Sequence, residues 1–151
     1  MKNEYVRDWM TTDPFTIDPG LSVSGAYRLM KERSVRRLPV VEGDRLVGIV
    51  TLGDLRAAVA SPEANLNIFE MAFHMERFTV LQIMTHQVVT ITPDTTIEAA
   101  CKLMMKHKIG GLPVMADDRL VGILTESDIF RLLAQRWSET ERVVDEPGGQ
   151  P

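Results

Sequence analysis

Apolar and polar residues follow two rhythms along this chain, and the same succession is run through twice. Val23, Ala26, Tyr27 and Met30 fall at i, i+3, i+4 and i+7, the stripe of a helix with one buried face, and Ile97, Ala100, Cys101 and Met104 repeat it. Thr95 and Glu98 ahead of the second stripe have the spacing of a capping box. Each stripe reads as core, the methionines and Cys101 included. After each stripe come two nearly continuous apolar runs around a polar turn. Leu38-Pro39-Val40-Val41 and Leu46–Val50 flank Glu42-Gly43-Asp44-Arg45, and Leu112–Met115 and Leu120–Leu124 flank Ala116-Asp117-Asp118-Arg119. These are predicted β-hairpins whose sheets are covered on both faces. Pro39 and Pro113 donate no N–H to a ladder, so each is expected to start an edge strand. Upstream, Pro14–Ile17 and Val88–Ile91 are short runs ending before Pro19 and Pro93, and they too are predicted strands. A second helix is expected to begin near Leu52 and near Glu126. The unit is β-α-β-β-α.

The two units are copies. An offset of 74 positions lays Val6–Arg56 over Val80–Phe130 without a gap, with 20 identities in 51 positions. The longest shared run, Asp44-Arg45-Leu46-Val47-Gly48-Ile49 over Asp118-Arg119-Leu120-Val121-Gly122-Ile123, is followed by Thr51/Thr125 and Asp54/Asp128. The sequence therefore divides into a first repeat over 1–79, with its motif core at 6–56 and a connecting helix in 57–79, and a second repeat over 80–136 with its core at 80–130. Residues 137–151 read as an acidic, flexible tail. In the connection, Ser61-Pro62-Glu63 breaks the chain, and Leu66, Phe69, Met71, Ala72, Phe73 and Met75 mark a mostly apolar helix. A unit of about 50 residues is marginal alone, and pairing with its twin provides the missing core.

Composition narrows the class. The chain has 151 residues, 44% hydrophobic and 25% charged, as expected of a globular domain. No window approaches the roughly 18 apolar residues of a membrane span, and Met1-Lys2-Asn3-Glu4-Tyr5 lacks the apolar stretch of a secretion signal. The single cysteine fits a reducing, cytoplasmic setting. Net charge is −4, and the segment from Trp137 onward, with Arg142 against Glu139, Glu141, Asp145 and Glu146, holds −3 of it. A nearly neutral body argues against nucleic acid as a partner. The basic cluster Arg28, Lys31, Arg33, Arg36 and Arg37 is read as a solvated helix face or as an anion site. His74, His86 and His107 show no metal-ligand spacing, and the chain has neither a phosphate-cradling Gly-x-x-x-x-Gly-Lys nor a nucleophile elbow. No catalytic residue, metal or catalytic cofactor is expected.

A duplicated core requires apolar residues to repeat, not polar ones, so Thr51, Asp54, Thr125 and Asp128 are the candidate chemistry. Each Thr-x-x-Asp closes a strand and opens a helix. That spacing is a capping arrangement, stabilising by roughly 1 kcal/mol. It also suits a ligand: the helix N-terminus attracts a phosphate, and a carboxylate there can accept from two vicinal ribose hydroxyls. Gly48 and Gly122 admit either a ligand or a neighbouring backbone at close range.

The Val-x-x-x-Met-Thr opening, the Thr-Ile-x-Pro strand end, Leu-Pro-Val, and the Leu-Val-Gly-Ile-(Val/Leu)-Thr-x-x-Asp close, each present twice and in order, resemble a tandem pair of CBS (cystathionine β-synthase) domains, the Bateman module. The resemblance implies an α+β fold of two β-α-β-β-α repeats related by a pseudo-two-fold axis and packed through their sheets. It implies two clefts for adenosine-containing ligands (AMP, ADP, ATP or S-adenosylmethionine), with Asp54 and Asp128 on ribose and Thr51 and Thr125 on phosphate. Thr16, Ile17, Leu38, Pro39 and Val40, with Thr90, Ile91, Leu112, Pro113 and Val114, would frame the base. Such pairs commonly dimerise, so a homodimer and a separate regulated protein are the implied partners. The copies differ where phosphates would lie: Arg36-Arg37 in one, Lys108 and Gly110-Gly111 in the other, the glycines leaving room for a less charged ligand. The clefts are therefore expected to be inequivalent, with phosphate contacted by Arg36, Arg37 or Lys108. The function expected is regulatory sensing of an adenosyl ligand. The alternative is an assembly protein whose vestigial clefts keep Thr and Asp as caps.

Overall fold

The computed structural model describes residues 4–59 and 68–144. The chain forms α1 (Val6–Trp9), β1 (Thr11–Thr12), α2 (Val23–Arg33), β2 (Arg37–Glu42), β3 (Arg45–Thr51), α3 (Leu52–Val59), α4 (Ile68–Arg77), α5 (Val80–Ile83), α6 (Ile97–His107), β4 (Gly111–Ala116), β5 (Arg119–Thr125) and α7 (Glu126–Val144). The expected α+β architecture is present. Both hairpins form, with β2 on β3 and β4 on β5 antiparallel, and the sheets meet along β3 and β5. The second turn is built by Asp117 and Asp118, both at positive φ (50° and 59°), which matches the right-handed twist of the strands.

Four local expectations are corrected. Pro14–Ile17 and Val88–Ile91 are not strands; each makes one parallel bridge, Ile17 to Val40 and Ile91 to Val114. Ile17 N donates to the Pro39 carbonyl (3.1 Å) and Val41 N to the Ile17 carbonyl (2.9 Å). The next donor upstream in such a ladder would be the amide of Pro39 and the next downstream that of Pro19, and neither has an N–H. The same prolines, Pro113 and Pro93, trim the second repeat. Strands β2 and β4 start at Arg37 and Gly111, two residues before the prolines expected to start them. Helix α6 is capped by Thr96, whose hydroxyl accepts from Ala99 N (3.2 Å), whereas Thr95 accepts from Thr92 N (3.1 Å) one turn earlier. Glu98 pairs instead with Lys102. Finally, α7 runs to Val144, so residues 137–144 are helical rather than a flexible tail. Arg136 pairs with Glu139 (2.9 Å) and with Glu4, and Thr140 donates to the Arg136 carbonyl (3.0 Å). The sequence beyond 144 and the break at Ser61-Pro62-Glu63 lie outside the described residues.

The two repeats exchange their entry segments. Val6 N donates to the Thr95 carbonyl (2.9 Å) and Ile97 N to that of Glu4 (2.9 Å); at the 74-residue offset, Val80 N donates to Leu21 (2.8 Å) and Val23 N to Phe78 (2.8 Å). Strand β1 adds to β5 through Thr11 and Ile123, as Thr85 bridges Ile49 of β3. The two cores follow this exchange and not the repeat boundary at 79/80. Val80 and Met84 pack with Ile17, Met30, Leu38, Val50 and Leu55 of the first repeat. Val6 packs with Ile91, Met104, Leu112 and Leu124 of the second. Close approach depends on two glycines. A Cβ on Gly122 would stand 2.8 Å from the Thr11 carbonyl and 2.7 Å from Met10 Sδ; on Gly48 it would stand 2.9 Å from the Thr85 carbonyl and 2.5 Å from Met84 Sδ. These glycines admit neighbouring backbone, and neither lines a cleft.

Candidate functional site

Each Thr-x-x-Asp sits at the junction of a strand and the helix it feeds, β3 to α3 and β5 to α7. Strand pairing ends at Thr51 and Thr125, and their backbone amides turn back onto the aspartate three residues on. Asp54 Oδ2 accepts from Thr51 N (2.8 Å) while Asp54 N donates to Thr51 Oγ1 (3.2 Å), a reciprocal cap. Asp128 Oδ2 accepts from Thr125 N (2.8 Å) and from Thr125 Oγ1 (3.2 Å). The carboxylates then diverge. Asp128 is buried at 3% exposure, and its Oδ1 accepts from Arg131 (3.0 Å), which also donates to the Trp9 carbonyl (2.9 Å). Asp54 has alanine at the position of Arg131 (Ala57), and among the described residues its Oδ1 has no hydrogen bond.

A cleft opens beside each junction. The first, about 600 Å³, is lined by Thr51, Asp54 and Arg56 of one repeat and by Gln87–Val89 and Lys108–Gly111 of the other. The second, about 610 Å³, is lined by Thr125, Asp128 and Arg131 together with Asp13–Phe15 and Ser34–Pro39. Both walls of each cleft come from different repeats, so a ligand in either one touches both.

Arg36 and Arg37 line both clefts. The glycine pair has a use beyond the expected one: Gly110 and Gly111, which line the first cleft, also make room for Arg37. A Cβ on Gly111 would lie 2.5 Å from one guanidinium nitrogen of Arg37 and 2.6 Å from its Cδ. Gly111 is the residue related to Arg37 by the offset of 74, so near the pseudo-axis one repeat's arginine fills the space its twin leaves empty. Burial pushes the Arg37 guanidinium below its ordinary pKa and Arg36 adds to this, with Glu126 acting in the opposite direction. Among the described residues Arg37 makes no ion pair, which leaves a half-buried cation facing both clefts.

The base-framing set is only partly placed as expected. Leu38 and Pro39 line the second cleft; Thr16, Ile17, Val40, Thr90, Ile91, Leu112, Pro113 and Val114 line neither. Of these, Ile17, Val40, Ile91, Leu112 and Val114 are 0–5% exposed inside the two cores, whereas Thr16 and Thr90 are exposed away from both clefts. The apolar cleft walls are instead Val88, Val89 and Ile109 in the first and Pro14, Phe15 and Val35 in the second. Arg33 lies over the Phe15 ring (4.6 Å to its centroid). Three functional candidates escaped sequence reasoning: Arg56, Glu126 and Arg131. Of these, Arg131 carried a signal, its i+3 spacing from Asp128 on a helix.

The family model for the CBS domain matches residues 6–61 and 80–135. The CBS domain pair of protein MJ0100, solved in complex with 5′-methylthioadenosine and S-adenosyl-L-methionine, is 29% identical with a TM-score of 0.75, covering 89% of this chain and 98% of that one. CBSX2, solved in complex with AMP, is 29% identical with a TM-score of 0.73, covering 87% and 97%. Homoserine O-acetyltransferase of Methanohalobium evestigatum is 36% identical over 137 residues, which are 89% of this chain but 25% of that enzyme. The chain thus spans about a quarter of that curated relative's length. Two matched repeats, two cores and two cross-repeat clefts agree: this chain belongs to the CBS-domain family and carries a CBS domain pair.

Proposed function

We propose that this chain is a regulatory module that binds adenosine-containing ligands in its two clefts and performs no catalysis itself. The observation that carries the reading is Asp54 Oδ1, which has no hydrogen bond among the described residues, beside a cleft whose other rim bears Arg37 and Lys108. That carboxylate oxygen suits a ribose diol, and the cations suit a phosphate. The complexes of similar pairs with AMP, S-adenosyl-L-methionine and 5′-methylthioadenosine support the same ligand class. Because each cleft has walls from both repeats, a bound ligand favours one relative placement of the repeats by its differential affinity. A regulated protein then reads that placement.

The test is a thermal-shift panel of AMP, ADP, ATP, S-adenosylmethionine and GTP on wild type, Asp54→Asn and Asp128→Asn. A ligand at about 100 times its Kd adds about 2.7 kcal/mol, which for a domain of this size is about 5–10 °C. An adenosyl compound that raises Tm, with the shift lost in one aspartate variant, supports the reading. The second reading, an assembly protein with vestigial clefts, rests on the Thr–Asp bonds already formed at both helix starts. It predicts no ligand shift at all in a folded protein. A homodimer is part of the proposal under either reading: Phe130 and Trp137, each 66% exposed on α7, offer apolar surface to a second copy. Sedimentation at micromolar concentration tests it, and a monomer there counts against it.

A further inference from the structure

The two clefts are alike in volume and unlike in charge, and the pseudo-symmetry allows the difference to be read position by position. Among the described residues, the first is lined by four cations, Arg36, Arg37, Arg56 and Lys108, against one carboxylate, Asp54. Among the same residues, the second is lined by three cations, Arg36, Arg37 and Arg131, against three carboxylates, Asp13, Glu126 and Asp128. Arg36 and Arg37 face both clefts and cancel in the comparison. The contrast comes from residues related by the offset of 74. Leu52 becomes Glu126, Gln87 becomes Asp13 and Lys108 becomes Ser34, each change making the second cleft more negative. Arg131, the one cation special to the second cleft, is already bound to Asp128 at 3.0 Å.

From this we infer that the clefts sort adenosyl ligands by charge: the Thr51–Asp54 cleft takes a phosphorylated nucleoside, and the Thr125–Asp128 cleft takes one without net negative charge. The inference rests on the adenosyl reading above and adds which cleft takes which ligand. A 5′-phosphate entering the first cleft gains Lys108 and Arg56 in addition to the shared arginines. The same phosphate entering the second meets Glu126 and Asp13 and finds its additional arginine in use. An uncharged or zwitterionic 5′-group meets no such repulsion in the second cleft, and its ribose there faces the Thr125–Asp128 junction, where Asp128 also accepts from Arg131.

AMP and 5′-methylthioadenosine differ only at the 5′ position, so they are the probes. Isothermal titration of the full chain is expected to give one strong AMP site whose affinity falls with added salt, and a 5′-methylthioadenosine site that is insensitive to salt. Each charge swap installs the residue that the twin repeat already holds at the equivalent position. Lys108→Ser is expected to weaken AMP by roughly tenfold or more, the size of a lost charged hydrogen bond, and to leave 5′-methylthioadenosine within about twofold. Asp13→Gln with Glu126→Leu is expected to raise AMP stoichiometry from one to two per chain. Equal AMP affinity at two sites in wild type, or AMP binding unchanged in Lys108→Ser, overturns the sorting while the adenosyl reading stands. No binding of either probe to the folded chain overturns both.

Discussion

Replacing Gly122 by alanine tests the exchange of entry segments that shapes both clefts. The new methyl carbon would lie 2.8 Å from the Thr11 carbonyl oxygen and 2.7 Å from Met10 Sδ, both well inside van der Waals contact. The sulfur sits on a flexible side chain and can move. The carbonyl belongs to the backbone of β1, paired to Ile123 across the repeat boundary, and cannot retreat without opening that bridge. Overpacking of this kind costs about 1–3 kcal/mol, a fall in Tm of about 2–12 °C for a chain this long. Gly53→Ala is the control. Its methyl carbon meets nothing closer than Thr51 Oγ1 at 3.6 Å, and it stands inside α3, where alanine stabilises by about 0.4–1 kcal/mol. Urea unfolding followed by circular dichroism reads both. Because the carbonyl and not the sulfur is the obstacle, adding Met10→Ala to Gly122→Ala is expected to restore little. A Gly122→Ala protein within about 0.5 kcal/mol of wild type, the scatter of a neutral surface change, would refute the reasoning, as would rescue by Met10→Ala.

Three further outcomes are expected. Lys108 ends α6 at φ 54°, a left-handed conformation that disfavours side chains, so Lys108→Gly is expected to raise stability by about 1 kcal/mol while weakening AMP; thermal melts with and without AMP read both effects. Arg131→Ala removes the ion-pair partner of the buried Asp128 carboxylate and is expected to cost about 1–3 kcal/mol in urea unfolding; a neutral result would mean that the Thr125 bonds alone satisfy Asp128. Burial pushes the Cys101 thiol pKa up, so less of it is thiolate at neutral pH. Iodoacetamide is therefore expected to label Cys101 more slowly than a free cysteine at pH 7.5 and faster as pH rises.

The parts of this fold legible in the sequence are those set by neighbours along the chain. The helical stripes of α2 and α6, the two hairpins and the Thr-x-x-Asp caps all depend on residues within a few positions of one another. Contacts across the repeats were hidden for a physical reason. A duplicated chain carries two equivalent partners for every segment, and no periodicity tells whether Val6 packs on its own repeat or on its twin. Arg37 is the sharpest case: Gly110-Gly111 read as space for a ligand, and only the three-dimensional pseudo-symmetry places a guanidinium there. The strand over Pro14–Ile17 failed because its donors are missing on the facing strand, at Pro39. Composition hides the end of α7: residues 137–144 are poor in apolar side chains, yet Arg136 and Glu139 stand at i, i+3.

The most direct test of the central claim is a crystal structure of the full chain grown with AMP. The account predicts the nucleotide in the Thr51–Asp54 cleft, its ribose hydroxyls on Asp54 Oδ1 and its phosphate toward Arg56 and Lys108. AMP bound outside that cleft, or a cleft left empty at saturating AMP, would contradict it.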